Sequence, residues 1–578
     1  VANLTTNMKK WNIREHRGIF TIPEMLKNSA SDFGPRPVMT QRLKEGDKTI
    51  TFKELYENVM KLAQGLLALG LKPGDHCAVL GHNSPEWAMA YLAIISAGCI
   101  CVPLDSLLGK NEIRRIIADA KITTAFVTPK FLDVVSETYR GFPGPKNIIV
   151  MSNGDGIPDE YLTIDKLQGK ASKANKRLPK LKLDDVCVII YTSGTTGLPK
   201  GVMLTHRNIV SDAAACYQAV HFDVERFLSV LPMHHTFECT AGFILPVYSG
   251  CHITFARSLK SRDILEDLKA SKATVMLGVP LLFQKMLEGM YRAISKAPFT
   301  KRMAFKLMMN LVKAAEKRGN YDLGKKLFAD LRKKAGLGYI RFFVVGGAPL
   351  RPDIPREFRR LGIKMLQGYG LTEASPVLTL NPEDEPVLES IGIPLPGVDV
   401  KIIDPDDDGV GELAFKGPMI MKGYYKNKKA TSEVLDKNGW LKTGDLGFQD
   451  KRGYLYVCGR AKNLIVTSAG KNVYPEEVEA ELNKSPFILE SMVYGKRVSS
   501  GGEEVHAVIV PDYETIGAEF PNKTFSDEEI YKLISKEVKN AMKQIAPYKR
   551  VKGFSIRDEE FPKTSTRKIK RYLFNKID

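Results

Sequence analysis

Short apolar runs of strand length alternate with amphipathic stretches of helical length through most of this chain. Residues 186–191, 201–204, 274–277, 340–345 and 364–366 read as strands, and 263–271 and 352–361 lie between such runs with helical periodicity. That alternation predicts α/β layers with largely parallel sheets. In such sheets, sites form in loops beyond the strand ends, and several Gly-rich segments here sit there. The chain has 578 residues, too many for one core, because cores stop growing at roughly 250–300 residues. A turn-rich β stretch is expected over 392–456, punctuated by Pro394, Pro396, Gly397, Asp408-Gly409 and Asn438-Gly439. After Gly459 the pattern resets into a small α/β unit. The expected division is therefore a large multi-layer N-terminal domain over 1–459, with parallel-rich sheets and a β subdomain, and a small mobile α/β C-terminal domain over 460–578.

Lys plus Arg is 85 and Asp plus Glu is 66, a formal charge of +19. Such a balance favours anionic company, but charge alone does not choose among nucleotides, membrane, nucleic acid and acidic carrier proteins. No aromatic-interleaved basic motif supports nucleic acid, and none is expected as a partner. The eight cysteines are scattered with no Cys-x-x-Cys spacing, which fits a reducing compartment. Cys99 and Cys101 read as buried apolar residues. Val1 to Trp11 carries no apolar signal core, and the start at Val1 reads as a trimmed one. The apolar run 88–104 is short for a membrane span. Ser84 as N-cap, Pro85 at the first helical position and Gly98 as the stop make it a helix followed by a strand. A cytoplasmic chain, peripheral at a membrane if associated with one at all, is expected.

The strongest local signal is Tyr191-Thr192-Ser193-Gly194-Thr195-Thr196-Gly197-Leu198-Pro199-Lys200-Gly201 after an apolar strand. Small residues let backbone N–H groups approach phosphate oxygens, the hydroxyls add donors, and Lys200 adds charge. Leu198 stands where a Walker A loop requires lysine. Further motifs follow in order: Leu231-Pro232-Met233-His234-His235-Thr236, Gly346-Gly347-Ala348-Pro349, Gln367-Gly368-Tyr369-Gly370-Leu371-Thr372-Glu373, Lys442-Thr443-Gly444-Asp445, Gly459-Arg460-Ala461-Lys462, Ala469-Gly470-Lys471-Asn472 and Pro562-Lys563-Thr564-Ser565-Thr566-Arg567-Lys568-Ile569. Taken singly, most could be turns or a basic tail. A zinc reading of His234 and His235 fails on the expectation that strand neighbours point to opposite faces.

In this order the motifs resemble those of the acyl-adenylate-forming (AMP-binding) enzymes, and the likeness spans nearly the whole chain. It implies that Thr192, Ser193, Gly194, Thr195, Thr196 and Lys200 form a phosphate loop. Gly346, Ala348, Gly368 and Tyr369 lie around adenine, Thr372 bonds the α-phosphate, and Glu373 holds Mg²⁺. Asp445 and Arg460 meet the ribose, Lys462 is the hinge, and Gly470 marks the approach of the thiol arm. His235 lies toward the acid, where a structural role is equally open. Lys568 is the catalytic lysine, with Lys563 and Lys570 as alternatives, because Thr566 and Arg567 depart from the Ser and Gly usual there.

The resemblance further implies ATP-dependent activation of an acid to acyl-AMP, then transfer to coenzyme A. Residues 340–350 are most similar to long-chain fatty acyl-CoA synthetases. Residues 301–334 carry eleven Lys/Arg against three Asp/Glu, with Phe305, Met308, Met309 and Val312 as an apolar stripe. Three readings stand for that stretch: a membrane-resting surface, a dock for an acidic carrier protein, or a solvated helical pair with an ordinary core stripe. An acyl–acyl-carrier-protein synthetase, an aryl-CoA ligase and a non-catalytic nucleotide-binding protein are the alternatives for the whole.

Overall fold

Strands covered on both faces are apolar along their whole length, because neither face meets water. Ile100–Leu104 is such a strand, and Thr124–Val127 is another but for its first residue, the buried Thr124. The computed structural model describes residue 11 and residues 14–43, 46–138, 146–152, 156–174, 176–192, 199–498, 502–563 and 569–574. Contacts divide the chain into two units: Val1–Asp399 with Phe415–Leu441, and Val400–Ala414 with Lys442–Asp578.

The first unit holds two large sheets. In the eight-stranded one, Val186–Thr192, Ile100–Leu104, His76–Leu80, Thr124–Val127, Asn147–Val150 and Leu162–Thr163 run parallel. Lys200–Thr205 returns antiparallel beside Val186–Thr192, and Gly423–Tyr424 adds a last edge strand. The nine-stranded sheet has a parallel centre through Lys364–Gly370, Phe342–Val345, Val275–Gly278, Arg226–Ser229, His252–Phe255 and Pro37–Leu43. Helix Pro85–Ser96 packs against strands of both sheets and buries every residue but Glu86. Ser84 caps it, its side chain accepting from the Trp87 N–H at 3.1 Å, and Gly98 follows at φ +76°. The segment 88–104 is thus a helix and a strand, as its punctuation predicts. All eight cysteines are free thiols and seven are buried.

In the second unit, Ile488–Arg497, Glu503–Pro511 and Gly553–Ile556 form a three-stranded sheet. Helices Pro475–Leu482 and Asp527–Met542 close one core with it through Val478, Val493, Ile509 and Ile534. The α/β class and the large-plus-small arrangement agree with the sequence reading. The division differs from 459/460 at its edges. Asp399–Ile403, Gly411–Lys416, Leu441–Gln449 and Leu455–Arg460 form one four-stranded sheet, and its ladders hold 400–414 and 442–459 with the smaller unit. The β stretch over 392–456 is also interrupted by helix Lys428–Val434, capped by Asn427. Among the described residues no helix is long and apolar enough to cross a membrane.

Candidate functional site

Two hairpin strands carry the Gly-rich segment. Thr192 ends one and Lys200 begins the other, opposite it, with the Thr192 hydroxyl donating to the Lys200 carbonyl at 3.4 Å. Ser193, Gly194, Thr195 and Thr196 lie outside the described residues. At Gly201 a Cβ would stand 2.8 Å from Ile189 and 3.3 Å from Tyr191 and Tyr425, so a side chain would crowd the partner strand. The Lys200 ammonium sits 5.1 Å from the centre of the Tyr424 ring. Such a contact contributes roughly 0.5–1 kcal/mol at an exposed site. No carboxylate among the described residues pairs with Lys200.

The ends of two parallel strands form the opposite side. Val345 and Gln367 are in register, so Gly346 and Gly368 come side by side; a Cβ on Gly346 would lie 3.6 Å from the Gly368 carbonyl and 3.2 Å from Phe237. Gly347 adopts φ +86° and leads to the half-buried Ala348. Tyr369 faces Phe415, ring centres 6.0 Å apart and tilted 36°. Gly370 admits no side chain, since its Cβ would meet the Pro376 carbonyl at 1.7 Å. A single 3-10 turn, Thr372–Ala374, follows. Thr372 is bonded to Thr236 at 3.4 Å. The Glu373 carbonyl accepts from the Met421 N–H at 2.8 Å, and its carboxylate accepts from the Tyr424 hydroxyl at 2.8 Å. Burial and the neighbouring Glu373 push the Tyr424 phenol well above its usual range, so it stays a donor at any physiological pH. Tyr424 therefore links Lys200 to Glu373, and strand Gly423–Tyr424, paired with Lys200–Thr205, puts it there.

His234 and His235 stand in a turn, not on a strand. The His235 N–H bonds the Pro232 carbonyl at 3.1 Å, and the Asn83 carboxamide ties the turn through the Leu231 carbonyl and the Met233 N–H. The two rings are 4.2 Å apart, and His234 Nε2 lies 3.3 Å from Asp105 Oδ1. The opposite-faces argument against shared ligation therefore fails: donor atoms of Asp105, His234 and His235 lie within 4.8 Å of one another. The wide helical segment Phe237–Ile244 follows. In it, burial pushes the Glu238 carboxyl up to about 8 against the opposing Ser229 hydroxyl.

The second unit assembles a separate group. Asp445 and Arg460 are cross-strand partners, and Arg460 Nε meets Asp445 Oδ1 at 2.6 Å. Thr443 orders this corner: its hydroxyl donates to the Leu413 carbonyl at 2.7 Å and accepts from the Asp445 N–H at 3.1 Å. Lys462 is exposed in the single turn Ala461–Asn463. Gly470 turns between strands Ile465–Val466 and Asn472–Val473 with φ +70° and open space where a Cβ would point. Lys568 lies outside the described residues. Lys563 pairs with Ile569 in an antiparallel bridge, and its ammonium binds Glu490 at 2.8 Å and Glu560 at 2.6 Å. Burial opposes that charge, but the two carboxylates outweigh it and hold the Lys563 pKa above its usual value. Lys563 is thus committed to structure. The Lys570 N–H is bonded to the Pro562 carbonyl at 2.8 Å.

The family profile of the AMP-binding enzymes matches residues 26–425, and that of the AMP-binding enzyme C-terminal domain matches 477–568. The chain belongs to the AMP-binding enzyme family. A long-chain-fatty-acid–CoA ligase of Homo sapiens is 30% identical over 518 residues, covering 84% of this chain and 76% of that protein. A chloroplastic long-chain-fatty-acid–[acyl-carrier-protein] ligase of Arabidopsis thaliana is 27% identical, covering 90% and 80%. The solved structure of ATP-bound MatB from Rhodopseudomonas palustris superposes with a TM-score of 0.74 at 25% identity, over 96% of this chain and 98% of that one. In this AMP-binding enzyme, the residues that sequence reasoning missed are Tyr424 and Asp105. The available signal for Tyr424 was an aromatic pair after a glycine, Gly423-Tyr424-Tyr425, placed late in the β stretch. Asp105 stands just past the end of a parallel strand, where polar groups collect in such sheets.

Proposed function

We propose that the chain is an ATP-dependent, AMP-forming acid–thiol ligase that activates a fatty acid and passes it to coenzyme A. The observation that carries this reading is the Lys200–Tyr424–Glu373 link. The Tyr424 ring meets the Lys200 ammonium and its hydroxyl meets the Glu373 carboxylate, on a strand paired with Lys200–Thr205. A hard carboxylate oxygen with no cationic partner among the described residues suits a hard divalent ion, so Glu373 is the Mg²⁺ holder. When bound, Mg²⁺ supplies neutralising charge to the phosphate oxygens. Thr192, Ser193, Gly194, Thr195, Thr196 and Lys200 hold the β- and γ-phosphates. Gly346, Ala348 and Gly368 make room for adenine, Tyr369 stacks on it, and Thr372 bonds the α-phosphate. Asp445 and Arg460 take the ribose.

An acid oxygen attacks the α-phosphorus, the bond to pyrophosphate breaks, and Lys568 stabilises the charge that gathers on the phosphoryl oxygens. Closure that excludes water protects the acyl-adenylate from hydrolysis. Rotation about Lys462 then withdraws Lys568 and brings the Gly470 side forward. The thiolate sulfur attacks the acyl carbon, its bond to the phosphate oxygen breaks, and AMP leaves. His235 faces the acid.

The human relative and the likeness over 340–350 support a medium to long fatty acid. The Arabidopsis relative favours a second reading, with an acyl-carrier-protein thiol as acceptor. A panel of acids assayed for pyrophosphate release, with coenzyme A, with carrier protein and with neither, separates them. AMP rather than ADP is the expected nucleotide product, and ADP refutes the reading. Each buried methylene contributes about 0.8 kcal/mol, so kcat/KM should climb over several carbons before levelling. A flat series from acetate upward refutes the fatty-acid assignment while leaving the ligase chemistry standing.

A further inference from the structure

A surface helix ordinarily carries one apolar stripe, turned to the core. Helix Phe299–Glu316 carries two. Met309 and Val312 are buried, and Phe305 and Met308 pack on the same core; Phe305 meets the rings of Tyr291 at 5.9 Å and Phe328 at 5.3 Å. The stripe expected from the sequence is therefore interior and faces no membrane. On the opposite side Phe299, Met303, Leu307 and Leu311 remain 71%, 48%, 63% and 50% exposed. Spaced four apart, they lie in one row about 18 Å long. Single exposed apolar residues need no explanation, but a continuous row marks an interaction surface.

Along one flank of that row stand Arg302, Lys306, Lys313 and Lys317, all exposed. None of the four makes an ion pair among the described residues. The only acid on the helix, Glu316, is on the inner side and already bound to Arg360 at 2.7 Å.

We infer that this outer face docks on an anionic lipid surface, the helix lying in the plane of the interface. An apolar row sunk among acyl chains, with cations beside it at headgroup level, is what such a helix needs. An acidic carrier protein would be recognised by the cations and would leave four large apolar side chains without a partner. A second copy seated face to face would set the same uncompensated cations against each other, on a chain whose formal charge is already +19.

The test is sedimentation of the full chain with vesicles of pure phosphatidylcholine, and of phosphatidylcholine and phosphatidylglycerol in equal parts, without acid or ATP. Strong binding to the anionic vesicles and weak binding to the neutral ones is expected. Leu307→Ser with Leu311→Ser should weaken anionic binding roughly 10–100-fold. Lys306→Gln with Lys317→Gln should weaken it about fivefold per charge and flatten its salt dependence. All these side chains are exposed, so melting temperature should hold, and the charge variants test the inference should the leucine pair not fold. Equal binding of wild type and both variants overturns it. So does a wild-type dimer that the leucine variant dissolves, or an acidic carrier protein that binds this face while vesicles do not.

Discussion

Three charged groups of the first unit and three clusters of the second are held in opposite ways, although the first unit elsewhere also forms closed pairs such as Arg360 with Glu316. In the first, Lys200 faces a ring, Glu373 is held by a neutral phenol, and Glu238 is buried with no cation among the described residues to pair with it. In the second, charges come as closed pairs: Asp445 with Arg460, Lys563 with Glu490 and Glu560, and Glu479 with Arg571. The contrast is clearest between two carboxyls. Burial pushes Glu238 up to about 8 with only a hydroxyl opposing it, whereas at the half-buried Glu479 the Arg571 guanidinium opposes the rise that burial brings. An unpaired charge is costly in a fold and useful in a site, because an incoming ligand of opposite sign relieves the cost. A closed pair instead fixes geometry.

The largest effect should come from a charge outside these closed pairs. Lys568→Ala should lower acyl-adenylate formation by about 10²–10³-fold, while thioester formation from supplied acyl-adenylate persists. Lys462→Pro should do the reverse. Equal loss of both steps in both variants would remove the support for two alternating arrangements.

Glu238 sharpens the contrast through pH. Its folded pKa, about 8, stands above the ordinary 4.5. The folded state therefore holds a proton that the unfolded state releases. That contribution is full below about pH 4.5 and is lost as pH rises through about 8. Glu238→Gln should melt with a flatter pH profile, its advantage growing to roughly a few kcal/mol at the alkaline end. Parallel profiles for variant and wild type would mean that Glu238 is not held protonated.

Tyr424→Phe tests whether the phenol orients Glu373. The Mg²⁺ concentration at half-maximal pyrophosphate release should rise roughly 10–100-fold, with the fold intact. An unchanged metal requirement would leave Tyr424 a packing residue. The smallest effect belongs to the closed pairs. Lys563→Met should cost about 1–3 kcal/mol of stability yet leave adenylation by the folded protein near normal. A variant that melts normally but cannot adenylate would reverse the assignments of Lys563 and Lys568.

Local punctuation carried much of this protein. Ser84, Pro85 and Gly98 delimit a helix by capping and backbone freedom alone. The two β-forming runs on either side of the Gly-rich segment pair antiparallel with Thr192 opposite Lys200, and Gly346 follows directly on a strand end as turn chemistry predicts. Such signals act over a few residues, so the sequence by itself determines them. Tertiary structure decided the rest, because it depended on which distant segments pair. Tyr424 reaches Glu373 and Lys200 only because Gly423–Tyr424 adds to a sheet edge formed more than two hundred residues earlier. Asp105 likewise meets His234 from a distant segment of the chain. Residues 400–414 join the smaller unit through a β ladder that no local pattern announces. Helix Phe299–Glu316 is apolar on two sides, and periodicity cannot say which side the core will take; packing chose Met309 and Val312 and left Phe299, Met303, Leu307 and Leu311 outside.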